Sequence, residues 1–176
     1  ITVDPFATQD FIALPSAANP TIAMVPGDPA HWKAVLPTLR RPGETFRLSI
    51  KGDDRWGNPS NRLTGKIKLK TNLPVTGLNE TVDLKKGDFG VVIEGLSVES
   101  PGVLHLTVLD ENDQLIATAN PLVIRAADAA HFWSDMHAQS GETIGVGTAR
   151  EYFDFARNKA FLDIAGHQGN DFQITD

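Results

Sequence analysis

The sequence predicts a mainly β chain in two parts. An immunoglobulin-like β-sandwich covers residues 40–125, and the first strand-helix-strand unit of an incomplete α/β domain covers 131–176. Three observations lead there. Between Gly43 and Arg125, short segments of alternating polarity recur, each bounded by Gly, Pro, Asn or Asp, which is the spacing of an all-β sandwich. After the alanine-rich joint AADAA at 126–130, the pattern changes to one amphipathic helix between strand-like runs. The chain has no cysteine, so neither disulfides nor zinc-thiolate centres close the fold.

Residues 1–39 are rich in Pro and Ala, and their strand-like pieces TIAMV and KAVL are broken by PGDPAHW and Pro37. Such a stretch is an extended lead-in or an edge strand. GETFRLSI sets Phe46, Leu48 and Ile50 against Thr45, Arg47 and Ser49, the alternation of a half-buried strand. DDRWGNPSN is a turn cluster in which Trp56 reads as a hydrophobic clamp. GKIKLK points Ile67 and Leu69 inward and leaves Lys66, Lys68 and Lys70 on a solvated face. TVDL, GVVIEGLSV, GVLHLTVLDEN and QLIATANPLVIR complete the sandwich. The Cys-Trp-Cys set of antibody domains is missing, so the expectation concerns architecture alone.

Beyond the joint, HFWSDMH reads as a buried strand. SGETIGVG is a glycine-rich connector or an anion contact, without the lysine of a P-loop or the dinucleotide spacing. TAREYFDFARNKAFL is the best helix of the chain: Thr148 and Glu151 form a capping box, and Tyr152, Phe153, Ala156, Ala160 and Phe161 share a face. LDIAG and DFQITD supply strand material. A single unit of this kind cannot bury both faces of a parallel sheet, so 131–176 are expected to open a domain whose remainder lies outside this chain.

Composition removes several function classes. With 41% hydrophobic and 22% charged residues the chain has ordinary globular usage. A net charge of −6 with scattered Lys and Arg argues against a nucleic-acid partner. No apolar run reaches the roughly 18 residues of a membrane span. The chain begins at Ile1, so the lack of a targeting segment leaves the compartment open.

The residues that could carry chemistry lie in the second part. Strand periodicity places Asp135, His137 and Gln139 on one face, where an imidazole beside a carboxylate can bind a divalent metal or orient a ring. His167 and Asp171 follow the helix, and Asp176 closes the next strand. If the strands are neighbours, His137, His167 and Asp176 meet at one rim. His31 and His105 have no ligand partner at short spacing and read as structural.

WSDMHAQSGET, GTAREYFDFAR and LDIAGHQGNDFQITD together resemble the start of a bacterial protein family related to the PHP (polymerase and histidinol phosphatase) superfamily, and GDDRWGNP is similar to the segment preceding the catalytic domain there. The resemblance implies a PHP-like barrel of βα units that holds divalent metal ions (zinc, manganese or iron) at its carboxyl rim and hydrolyses phosphoesters of a small-molecule substrate. Asp135, Met136 and His137 match the Asp-Leu-His-x-His pattern of the first strand, and Gln139 stands where its second histidine is expected. Thr175 and Asp176 match a later Thr-Asp-His pattern. It thus implies metal ligands at His137 and Asp176, with either one metal position lost at Gln139 or His167 replacing the missing histidine as the third ligand, supported by Asp135, Gln139 and Asp171. The partner would be the rest of the barrel in the same parent protein, with this chain inactive alone. The alternative is a non-catalytic immunoglobulin-like binding or scaffolding module.

Overall fold

In the computed structural model, the described residues are 2–3, 6–9, 11–13, 15 and 22–168. Two short strands, β1 (Thr2–Val3) and β2 (Ile12–Ala13), pair antiparallel ahead of the main body. The body contains β3 (His31–Val35), β4 (Leu39–Arg40), β5 (Phe46–Asp53), β6 (Gly65–Thr71), β7 (Thr81–Leu84), β8 (Val91–Leu96), β9 (Gly102–Leu104), β10 (Leu106–Leu109), β11 (Leu115–Thr118) and β12 (Leu122–Ile124). Strands β3, β5 and β8 form one sheet, in the order β3-β5-β8. The other face is built from β4-β12-β9 and β11-β10-β6-β7. β9 and β10 are interrupted at His105, and β11 and β12 at 119–121. Because β10 pairs with β11 and β9 with β12, the four pieces make one long broken hairpin. The chain thus crosses repeatedly between two facing layers of sheet, as in an immunoglobulin-like sandwich.

Between the sheets, Leu48 and Ile50 of β5 join Ile67 and Leu69 of β6 and Leu106 and Val108 of β10 in one buried cluster. These are the positions that alternation selects, and Lys66 and Lys68 of β6 reach outward to Asp83 and Asp113. Residues 31–40 act as edge strands. Pro37 ends the first, and the chain crosses to the second sheet, where β4 runs parallel to β12. Pro121 has no N–H to give, and the neighbouring Asn120 compensates across the break. Its side-chain amide accepts the Leu36 N–H at 2.9 Å and donates to the Leu36 carbonyl at 2.9 Å.

The expectation for β5 needs correction. Ser49, on the face read as solvated, is 3% exposed. The reason is tertiary: the outer face of β5 lies beneath the second part of the chain, and Arg47, Ser49, Phe161, Trp133 and Asp163 line a common crevice there.

That second part contains β13 (Ser134–Ala138), α1 (Ala149–Asn158) and β14 (Ile164–His167), with β13 and β14 paired in parallel. Strand, helix and strand occur in the expected order. The helix is shorter than its sequence pattern, ending at Asn158, and Ala156 is its buried residue. The strand read as buried is exposed at four of its five positions, because among the described residues β14 is its sole strand neighbour. The segment DFQITD lies outside the described residues.

Phe161 has left the helix. It adopts φ +58 and is 6% exposed. Its ring sits over Gly90 so closely that a Cβ there would lie 2.6 Å from the ring and 2.5 Å from the Ile50 carbonyl oxygen. Arg47 donates to the Phe161 carbonyl at 2.7 Å and pairs with Asp163 at 2.8 Å. The other Asp163 oxygen accepts the Trp133 N–H, and the Trp133 indole N–H donates to the Leu36 carbonyl at 2.8 Å. Arg40, buried beside this joint, donates to the carbonyls of Leu39 and His131, and its guanidinium lies 4.9 Å from the centre of the Phe132 ring. The AADAA joint is fastened as well, since Arg41 donates to the carbonyls of Ala127 and Asp128.

Candidate functional site

These fastenings have a common position. Trp133 immediately precedes β13, and Asp163 immediately precedes β14. Arg47, Arg40, Leu36 and Gly90 therefore hold the parallel pair at its amino-terminal end. His137, Ala138 and Ser140 lie at the opposite, carboxyl end of β13, and His167 is the last residue of β14. In α/β folds that end is where ligands and reacting groups collect.

Along the ladder, Ser134 faces Ile164 and Asp135 faces Ala165, but Ala138 faces His167. Three steps along β13 thus match two along β14. Asp135 supplies the reason: its carboxylate accepts the backbone N–H of His137 at 3.0 Å, taking that amide from the ladder. The regular alternation of Asp135, His137 and Gln139 is interrupted by this shift. His137 is exposed, and its neighbour Ala138 stands opposite His167. Gln139 is turned into the following loop, where its side-chain oxygen accepts the Thr143 hydroxyl at 3.2 Å.

Ser140, which periodicity did not single out, is fully buried at the centre of the rim. Its hydroxyl lies 2.9 Å from Nε2 of His167, and its carbonyl accepts the N–H groups of Thr143 and Gly145. SGETIGVG is thereby tied down by its own backbone hydrogen bonds. The Gly141 N–H donates to the Gly147 carbonyl, and a side chain on Gly145 would strike the Gln139 carbonyl at 2.6 Å. At the helix start, Thr148 and Glu151 form the expected capping box. Hydrogen bonds from Thr148 hold the Glu151 carboxyl below its usual range, so a carboxylate already occupies that helix end.

The rings of Tyr152 and Phe153 stand 6.2 and 6.4 Å from His167, and the Tyr152 hydroxyl donates to the Gly166 carbonyl at 3.3 Å. Burial, and then the Asp135 carboxylate, push the Tyr152 phenol upward. His131 is a joint residue, with Nδ1 2.9 Å from the Thr38 hydroxyl. Asp171 and Asp176, with Thr175, lie outside the described residues. Among the described residues, no three His, Asp or Glu side chains come together as a metal site.

The second polar cluster, in GDDRWGNP, organises a loop. Asp53 is held by Lys33 at 2.6 Å and Lys51 at 3.3 Å. Asp54 accepts N–H groups from Gly27, Trp56 and Asn58 and the Asn58 side-chain amide. Burial alone would raise the Asp54 carboxyl, and these hydrogen bonds outweigh it and bring it down to about 2. Trp56 is not the expected hydrophobic clamp. It is 68% exposed, with the Arg55 guanidinium 4.0 Å above its ring, because the turn that Asp54 closes turns the indole outward.

No family model matches this chain, and no curated protein matches it. Among solved structures it is similar to the PKD domain of an M14-like peptidase from a Thermoplasmatales archaeon, at 13% identity and a TM-score of 0.33, over 58% of this chain and 100% of that one. A likeness this low carries no argument. The sandwich rests on its own strand order.

Proposed function

We propose that residues 31–125 are a non-catalytic immunoglobulin-like platform, and that it carries the opening βαβ unit of a PHP-like, metal-dependent hydrolase acting on phosphoesters. The observation behind this reading is that the bonds made by Arg40, Arg47 and Trp133 grip the approaches to β13 and β14 at their amino-terminal ends. Their carboxyl ends, with the exposed His137, are left for chemistry. A binding module would need its own receptive face. A platform needs rigid contacts with its cargo, and Phe161 on Gly90 and Arg47 on Asp163 supply them.

A divalent metal would supply a Lewis acid and an activated water at this rim. Within the described residues the donors do not complete its site. His137 contributes one imidazole, and further ligands would come from Asp176 and from later βα units of the parent protein. The role of this chain is to place His137 and to keep the strand ends in register.

Metal analysis of the full-length protein tests the hydrolase half: bound divalent metal is expected, reduced in His137→Ala with the fold intact by circular dichroism. A metal-free full-length protein after incubation with zinc, manganese and iron would sink it. Hydrogen exchange tests the platform half. Phe161→Ala should speed exchange of the β13 and β14 amides while leaving β5 and β10 protected, and unchanged exchange in β13 and β14 would refute the platform.

A further inference from the structure

The Ser140 hydroxyl makes two contacts: its oxygen accepts the Glu142 N–H at 3.2 Å and lies 2.9 Å from Nε2 of His167. A serine hydroxyl has one proton to donate. Ser140 is 0% exposed, so that proton needs a protein acceptor or the fold bears an unsatisfied buried donor. The Glu142 N–H is a donor and cannot take it. Among the described residues, the acceptor within reach is the Nε2 lone pair of His167.

With the hydroxyl donating to Nε2, a neutral imidazole carries its own proton on Nδ1. The reverse arrangement, Nε2–H donating to Ser140, would make the oxygen accept twice and strand its proton. The loop holds the serine in place, because the Ser140 carbonyl is tied to Thr143 and Gly145. A metal takes histidine through an unprotonated nitrogen. In His167 that nitrogen is already committed to Ser140.

We propose that Ser140 is a positioning residue that holds His167 as its Nδ1–H tautomer, with Nε2 engaged by the serine hydroxyl, so that His167 is not a metal ligand of the rim. This departs from the ligand set that the sequence resemblance implies. The tautomer follows from the buried hydroxyl and stands apart from the hydrolase reading.

Proton–nitrogen correlation NMR on the chain labelled with nitrogen-15 histidine, at a pH of about 8 where ordinary imidazoles are neutral, reads the tautomer directly. His167 is assigned by the signals missing from His167→Gln. The expected wild-type pattern is a protonated Nδ1 and an unprotonated Nε2, kept in Ser140→Thr and shifted toward the Nε2–H form in Ser140→Ala. Stoichiometric zinc should leave the wild-type His167 pattern unchanged. An Nε2–H pattern in the wild type, or its displacement by zinc, overturns the proposal. The wild-type spectra decide even if Ser140→Ala does not fold. An intact tautomer in a full-length protein that binds no metal would separate this inference from the hydrolase reading and leave the tautomer standing.

Discussion

Phe161 offers the sharpest energetic test, since it combines a buried ring with an unfavourable backbone. At 6% exposure, truncation to Ala removes nearly all of its contact with Gly90 and β5. A buried Phe→Ala change costs about 3–5 kcal/mol. The left-handed φ of +58 costs an L-residue roughly 1–2 kcal/mol, and Ala keeps that cost. Gly escapes it and gives back about 0.4–1 kcal/mol through the greater freedom of the unfolded chain. The two terms leave Phe161→Gly milder than Phe161→Ala by about 1 kcal/mol, the reverse of the usual order. Urea unfolding followed by tryptophan fluorescence measures this, with Trp133 reporting at the joint. With a slope of about 2 kcal/mol per molar urea, Ala should lower the midpoint by about 1.5–2.5 M and Gly by about 0.5 M less. A wild-type midpoint for Ala would refute the burial argument, and Ala more stable than Gly would refute the strain argument.

Two further outcomes follow from the joint and the DDRWGNP loop. Arg47 and Asp163 are partly covered, with side chains 27% and 18% exposed, so a double-mutant cycle through Arg47→Met and Asp163→Asn should give a coupling of about 1 kcal/mol after allowing for solvent screening. A coupling indistinguishable from zero would mean that the pair does not fasten the joint. Asp54 titrates at about 2 in the fold against the ordinary ~3.9 of an unfolded chain. Its folded value is depressed, so its stabilisation is present above pH ~4 and is lost as pH falls from there toward 2. Thermal midpoints across that window should fall less steeply in Asp54→Asn than in the wild type, and parallel curves would show that the loop hydrogen bonds do not set this titration.

The capping box was legible because its chemistry is local: Thr148 and Glu151 meet within one helical turn whatever surrounds them. The alternation of Phe46, Leu48 and Ile50 was legible for the same reason, since backbone geometry fixes which residues share a face. Gln139 and His137 show the limit. Periodicity aligned them with Asp135, but a single hydrogen bond donated by the His137 backbone N–H to the Asp135 carboxylate shifted the register, and no pattern of polarity records such a bond.

The sequence by itself determined the alternating strands β5 and β6 with their inward-facing residues, the capped helix and the change of texture after AADAA, all products of short-range stereochemistry and the hydrophobic period. Tertiary structure alone decided that Ser49 is buried, that Phe161 plugs a space only Gly90 can leave, and that Ser140 meets His167. Each of these joins residues 27 or more positions apart. Contacts across such distances depend on how whole layers dock, which the order of residues constrains only through the complete fold.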